Sequence, residues 1–432
     1  MEPKFSQVFR VSVVAVAVTL TFGAARLAHA QEAHLTHFGS NVASLLEHAK
    51  QKNPEYASMR LEADAANERI VPAGALPDPK LRTEWMDITK NGDQNPTLAP
   101  NRVGSTRYQL MQDIPWYGKR DLKRQIAEQE AESAKGRVVG TWAELSMRIK
   151  SAYAQLYYLH RNERLSKEIL DLMTRLEKVA QVRYASGLVP QQDVIRAQVE
   201  QTTMRNELVM IENDIRQTQA KMNALLTRPA TAPLAEPESL RPLPAAVKLE
   251  YAALVEQVRA RNPQMFVEDA RLRAAEKSRE LAYKNRYPDF SLGLAPTQSG
   301  GSVKEWGVML EVNIPLQQSA RRSQEREAEA MLSAARARKE STANQVLAEL
   351  SGNLSGLDAA RQTEMLTTNS LLPQAELTFQ AALTGYQNGK VDFATLLDAQ
   401  KQIRQAKQNL IKSQAEAQMR LAEIERLLGE DL

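Results

Sequence analysis

Residues 184–198 read YASGLVPQQDVIRAQ, and 202 positions further on residues 386–400 read YQNGKVDFATLLDAQ. Tyr184, Gly187, Val189, Ala197 and Gln198 thus return as Tyr386, Gly389, Val391, Ala399 and Gln400, and Leu225-Leu226 returns at the same offset as Leu427-Leu428. Asn53-Pro54 reappears as Asn262-Pro263, Pro77-Asp78 as Pro288-Asp289, and Ile114-Pro115 as Ile314-Pro315, at offsets between 200 and 211. Unequal loops produce such drift. A period this long is the duplication of one large unit, not a solenoid of short repeats. The chain therefore divides into a first repeat over 31–228, a Pro-rich linker over 229–245 and a second repeat over 246–432.

Most of each repeat has the spacing of a coiled coil. Val194, Ala197, Gln201, Met204, Leu208, Ile211, Ile215, Thr218, Met222 and Leu225 step by three and four, and the second repeat carries Leu396, Ala399, Ile403, Ala406, Leu410, Ser413, Ala417, Arg420, Ile424 and Leu427 at the same places. A seam this thin, with Ala, Ser, Thr and Gln in it, suits close helix packing in a large assembly. Met204 and Met222 read as seam packing rather than metal ligands. No proline interrupts 117–185, whereas Pro373 should kink the equivalent stretch over 317–388. Gly187 and Gly389 stand where left-handed helix caps belong, with Pro190 and Asp392 as starts for the returning helices. Each repeat thus contains a long helical hairpin with a short tip.

Four windows alternate apolar and polar residues in the manner of strands. They run through Leu81, Thr83 and Trp85; Thr106 to Ile114; Phe290, Leu292 and Leu294; and Trp306 to Ile314, with loops expected over Thr89–Asn101 and Pro296–Lys304. Lys4 and Arg10, an apolar stretch over Val11–Phe22 and Ala28-His29-Ala30 read as an export signal over 1–30, cleaved before Gln31. No later segment is apolar for long enough to make a spanning helix, so any bilayer crossing must use strands. Strands of this size with one apolar face suit a membrane β-barrel, yet four cannot close one, since the smallest have about eight. Several chains must share one barrel.

These residues together resemble the TolC family of outer-membrane efflux ducts. The resemblance spans the mature chain: duplicated helix–strand–strand–helix–helix units, strand pairs ending in Ile-Pro, and Tyr-x-x-Gly tips. It implies a mainly helical fold with a membrane β-barrel, made from duplicated coiled-coil hairpins and four strands per chain. Three copies would form a twelve-stranded barrel above a periplasmic helical tunnel. The implied partners are two further copies, a periplasmic adaptor (membrane fusion protein), an inner-membrane resistance–nodulation–division (RND) transporter and outer-membrane lipids. Ala75-Leu76-Pro77-Asp78-Pro79 and Pro115-Trp116-Tyr117-Gly118-Lys119-Arg120 look like the heavy-metal branch, which exports copper and silver or cobalt, zinc and cadmium. Many copper-branch relatives carry an acylated N-terminal Cys, and this chain has no Cys. A multidrug or type I secretion duct of the same fold stays open at this point. A soluble periplasmic coiled-coil adaptor is the rival from another class, but it would show one hairpin rather than two with paired strands.

The resemblance also assigns roles. Gly187, Leu188, Val189, Gly389, Lys390 and Val391 form tips that would meet the adaptor. Two gate aspartates of TolC fall on Thr395 and Asp398, so only Asp398 retains the carboxylate. From the residues themselves, Lys119, Arg120, Lys123 and Arg124 begin one long helix and Arg321, Arg322 and Arg326 its counterpart, where cations oppose the helix dipole. Anionic headgroups at the periplasmic rim are the expected partner. His34 and His37 could bind a soft metal, but a mobile polar tail is the preferred reading and no metal site is assigned. No enzyme motif is present, and no cofactor is implied: Gly385 to Lys390 lacks both the spacing and the Ser/Thr of a phosphate loop. A formal net charge of +4, part of it in the export signal, gives no support to nucleic-acid binding.

Overall fold

The computed structural model describes residues 38–432; the export signal and His34 and His37 lie outside the described residues. Helix α1 (Val42–Lys52) leads to α2 (Pro54–Glu68), the single turn α3 (Ile70–Gly74), strands β1 (Lys80–Met86) and β2 (Ser105–Ile114), and then the long α4 (Lys119–Ala185) and α5 (Gln191–Leu225). The second repeat follows the same order: α6 (Tyr251–Arg261), α7 (Pro263–Lys284), β3 (Asp289–Ser299), β4 (Ser302–Asn313), α8 (Gln318–Leu366), α9 (Leu372–Gln387) and α10 (Phe393–Leu428). The repeated Asn-Pro pairs explain themselves here. Asn53 accepts from the Tyr56 N–H at 3.0 Å and Asn262 from the Met265 N–H at 2.9 Å, each capping a helix whose first residue is proline. Among the described residues, no helix is long and apolar enough to cross a membrane.

The chain forms two compact units. One comprises Ser58–Gly140 and Arg259–Leu347; the other holds residues up to Ala57, Thr141–Val258 and Ala348–Leu432. The first contains the sheet, a four-stranded antiparallel array in the order β1-β2-β3-β4. In this unit α7 lies tightly on α4, because Gly136 has no side chain: a Cβ there would stand 2.8 Å from both Phe266 and Val267. The loop expected over Pro296–Lys304 is corrected. β3 continues through Pro296 to Ser299, and the turn is only Gly300-Gly301, with φ of +61° and +88°. Pro296 is tolerated because the β2–β3 ladder lapses beside it, passing from Leu110↔Leu294 to Arg107↔Thr297 without pairing Tyr108 or Gln109.

The second unit contains both hairpins. Its tip-proximal core joins Leu165, Ile169 and Met173 of α4, Ala197 and Met204 of α5, Phe379 and Tyr386 of α9, and Phe393 and Leu396 of α10. The expected seam is observed: Ala197, Met204, Ile211, Ile215 and Met222 are buried, as are Leu396, Ala399, Ala406, Ala417 and Ile424. Burying each Met or Ile contributes about 1.5–3 kcal/mol. The linker over 229–245 is strapped down by hydrogen bonds. Tyr153 donates to the carbonyls of Ser40 and Ser239, Gln418 to that of Arg241 and Arg361 to that of Pro244. Pro373 disturbs its helix as expected, in the form of a π-helical turn over Thr367–Leu371. Proline at 373 has no N–H to donate one turn back, and the wider turn accommodates it.

Candidate functional site: a two-faced sheet and two capped tips

The strand register sorts side chains onto two unlike faces. Leu81 pairs with Leu110, Leu110 with Leu294 and Leu294 with Val308, while Leu292 pairs with Leu310 and Phe290 with Val312. This face is exposed: Leu81, Leu110, Leu292, Leu294, Val308 and Leu310 are 45–83% accessible. The other face carries Lys80, Arg82, Glu84, Arg107, Asp113 and Glu311. Lys80 meets Asp113 at 2.7 Å, Arg82 meets Glu84 at 2.7 Å, and Ser291 donates to Asp113 at 2.6 Å. A soluble sheet hides its apolar face and shows its polar one. Here the apolar face is left uncovered alongside the polar one, which is the arrangement of a wall between lipid and a hydrated lumen.

At the base of this sheet most residues of the basic clusters bond within the chain. Lys119 is not a free rim cation: it is buried, pairs with Asp289 at 2.8 Å and donates to the Tyr287 carbonyl at 2.9 Å. Arg120 donates to the Gly74 carbonyl at 2.9 Å, and Arg321 donates to that of Asn285. Gly74 ends α3 and Asn285 caps α7, so each arginine serves the negative end of the preceding helix. That resolves the conflict with their own helix dipoles. Arg124 lies 3.6 Å from Glu128 and Arg326 donates to Ser323 at 3.0 Å, while Lys123 and Arg322 are exposed. Asp289 also accepts the Trp116 N–H at 2.7 Å, and Trp116 stacks on Tyr287 at 5.1 Å.

The two tips, in the other unit, are built alike. Gly187 has φ +67°, its N–H reaches the Tyr184 carbonyl at 2.9 Å, and the Leu188 N–H reaches that of Arg183 at 2.9 Å. Gly389 has φ +71°, with matching bonds from Gly389 to Tyr386 at 3.0 Å and from Lys390 to Gly385 at 2.8 Å. Such a closure needs a residue without a Cβ at the left-handed position. The structure separates the six tip residues. Val189 and Val391 fold back onto the core, whereas Leu188, at 67% accessibility, and Lys390 face outwards.

One tip residue was missed by sequence reasoning. Arg183 donates to the carbonyls of Tyr386 and Gln387 at 2.5 and 2.8 Å and lies 5.0 Å from the Tyr386 ring centre. It thereby satisfies the last turn of α9 from the first hairpin. Its repeat position is Gly385, so the duplication gave no signal for it. Burial pushes the Asp193 carboxyl above the usual aspartate range; Arg196 opposes this, Asp392 adds to it and Arg183 opposes it. Asp392 is held below its ordinary value by hydrogen bonds from the Thr395 hydroxyl at 2.6 Å and N–H at 2.9 Å. Thr395 is therefore engaged in capping α10. Asp398 is exposed between the buried Leu397 and Ala399. Among the described residues, no group of three His, Cys, Asp or Glu is arranged to hold a metal ion.

The family model described as outer membrane efflux protein matches residues 45–228 and 254–430, both repeats in turn. The chain belongs to this family. It is an outer-membrane efflux channel with a periplasmic helical portion, and members of the family are passive ducts rather than enzymes. It is 24% identical over 373 residues to the cobalt-zinc-cadmium resistance protein CzcC of Cupriavidus metallidurans, covering 85% of both chains. Its fold is similar to that of the outer membrane protein VceC from Vibrio cholerae, with a TM-score of 0.78, 20% identity, and 90% and 96% of the two chains covered. The outer-membrane channel OprN gives 0.78 at 18% identity over 90% and 89%, and CusC gives 0.77 at 16% over 91% and 94%.

Proposed function

We propose that this efflux protein is the exit duct of a tripartite RND-type system and passively conducts heavy-metal cations from the periplasm to the exterior. The likeness to a cobalt-zinc-cadmium resistance protein along 85% of both chains carries the cargo reading. The apolar sheet face would meet lipid, and the unpaired outer edges of β1 and β4 would be closed by two further copies, since an open edge is not tolerated in a bilayer. Leu188 and Lys390 are the exposed tip residues for a periplasmic adaptor. Asp398 would line the tunnel end, where three carboxylates favour cations. Lys123 and Arg322 are the cations left for lipid headgroups. The test is a strain lacking this chain, challenged with cobalt, zinc, cadmium, copper and silver salts and with a panel of drugs. Sensitisation to metals, reversed by the cloned gene, is expected. Sensitisation to drugs alone would overturn the metal assignment.

A further inference from the structure

The sheet brings together two methionines from opposite repeats. Met111 on β2 pairs with Gly293 on β3, and Gly293 pairs with Met309 on β4, so the three stand in one row. Residues two apart on a strand share a face, which puts Met111 beside Asp113 and Met309 beside Glu311 on the charged side of the sheet. Two strand spacings, roughly 10 Å, separate the two methionine backbones. Glycine leaves the gap between them open. A Cβ at Gly293 would stand 3.3 Å from Met111 Cγ and 3.5 Å from Met309 Cβ, and Gly293 is buried while both methionines are half-buried. The next pair along the trough, Ala295 and Gly307, is also small.

The Met309 sulfur is turned into this trough. Gln109 on β2, itself buried, donates its amide to Met309 Sδ at 3.0 Å, reaching across β3 to do so. The bond holds that sulfur on the side of β2, where Met111 follows Gln109 on the same face. At the offset that carries Ile114-Pro115 onto Ile314-Pro315, Met309 falls on Gln109 and Met111 on Glu311, so the duplication did not supply the pair.

We propose that Met111 and Met309 form a site for a soft monovalent cation, Cu(I) or Ag(I), on the charged face of the sheet. A thioether is a neutral, polarisable donor that suits Cu(I), whereas zinc and cobalt favour imidazole and carboxylate ligands. Gln109, with its amide turned over, adds an oxygen to the same ion. Lys80, at the β1 end of the row, directs its ammonium to Asp113 at 2.7 Å, and Glu311 is exposed beside Met309. Two uncharged sulfurs make a weak, exchangeable seat, and conduction requires sites that an ion can leave. This inference rests on the metal-cargo reading above and narrows it to thiophilic monovalent ions.

The test is titration of the purified full chain in detergent with Ag(I), followed by NMR of labelled methionine methyl groups. The Met111 and Met309 signals should move together and saturate at one ion per chain, before those of the exposed Met210 and Met365 respond. Zn(II) should leave both in place. Met111→Leu and Met309→Leu conserve volume, and each should weaken Ag(I) binding by about tenfold or more. Gly293→Val keeps both sulfurs but fills the gap, and should weaken binding by about tenfold. Unchanged affinity in both leucine variants, separate responses of the two methyl groups, or a first response to Zn(II) would overturn the site. Any of these in a chain whose deletion still sensitises cells to metals would leave the cargo reading intact. Silver bound at the pair, in a chain whose deletion sensitises cells to drugs alone, would uphold the site and overturn the cargo reading.

Discussion

Glu425 is the most heavily coordinated carboxylate in the hairpin unit, and its removal makes a demanding test of the buried electrostatics. It accepts from Lys150 Nζ at 2.7 Å, from both Arg241 nitrogens at 3.2 and 2.9 Å, and from the Leu432 N–H at 3.2 Å. Glu425 and Lys150 side chains are 3% and 4% accessible, whereas Arg241 retains 27%. Glu425→Gln preserves the shape but strips Lys150 of its buried partner, leaving Asp431, which is 65% exposed. Breaking a buried pair from one side costs about 3–5 kcal/mol; the exposed arginine rehydrates and adds little. Lys150→Met added to Glu425→Gln removes the stranded charge, so the double variant should recover to within about 1–2 kcal/mol of wild type. Hydrogen exchange at the amides of Gly429–Leu432 and of the last turn of α10 reads this locally, a loss of 3 kcal/mol being roughly a hundredfold in protection. A single variant exchanging within threefold of wild type, or a double variant worse than the single, would refute the argument.

Other perturbations have equally definite outcomes. Leu188→Asp should abolish metal resistance while leaving outer-membrane assembly unchanged, because the side chain is exposed and its backbone closes the tip; normal resistance would remove it from adaptor docking. Asp398→Ala should reduce cation selectivity and block by multivalent cations in bilayer conductance, and unchanged records would place the carboxylate away from the constriction. Asp193 has a folded pKa above its unfolded one, so it binds its proton more tightly when folded and costs stability as pH rises from the ordinary aspartate value through the raised one. Asp193→Asn should therefore be more stable than wild type at neutral pH, with the difference vanishing in acid; a pH-independent difference in unfolding midpoint would contradict this. Gly136→Ala should lower stability by about 1–3 kcal/mol, because its Cβ would meet Phe266 and Val267 at 2.8 Å. An unshifted thermal midpoint would show that α7 can yield.

The hairpins were legible in the sequence because their determinants are local and occur twice. Gly187 and Gly389 mark left-handed caps, Asn53 and Asn262 cap helices beside prolines, and the three-four seam predicts which residues of α5 and α10 are buried. The strands were legible because alternation survives in all four windows. The extent of β3 was not, since Pro296 and two glycines read as one loop until the neighbouring ladder is seen to skip the proline and the glycines to form a two-residue turn. The in-chain bonds of the basic clusters were hidden for a related reason. A cation at a helix start reads as an electrostatic conflict, and only tertiary structure shows that Arg120 and Arg321 answer carbonyls at another helix end. Arg183 lay beyond reach altogether, as its role depends on a contact with residues about 200 positions away and on no pattern in its own segment.

The π-helical turn at Thr367–Leu371 has a consequence for how two arms of unequal length can share one packing pattern. From the proline of Ile-Pro to the tip glycine is 72 residues in the first repeat and 74 in the second. In an unbroken α-helix two extra residues would rotate everything beyond them by roughly 200°, turning the seam to solvent. A widened turn takes up one residue locally, sparing the rest of the helix part of that rotation. The turn thus absorbs part of the difference in length between the two arms, so that the seam beyond it stays buried and Gly389 still closes a cap like that of Gly187.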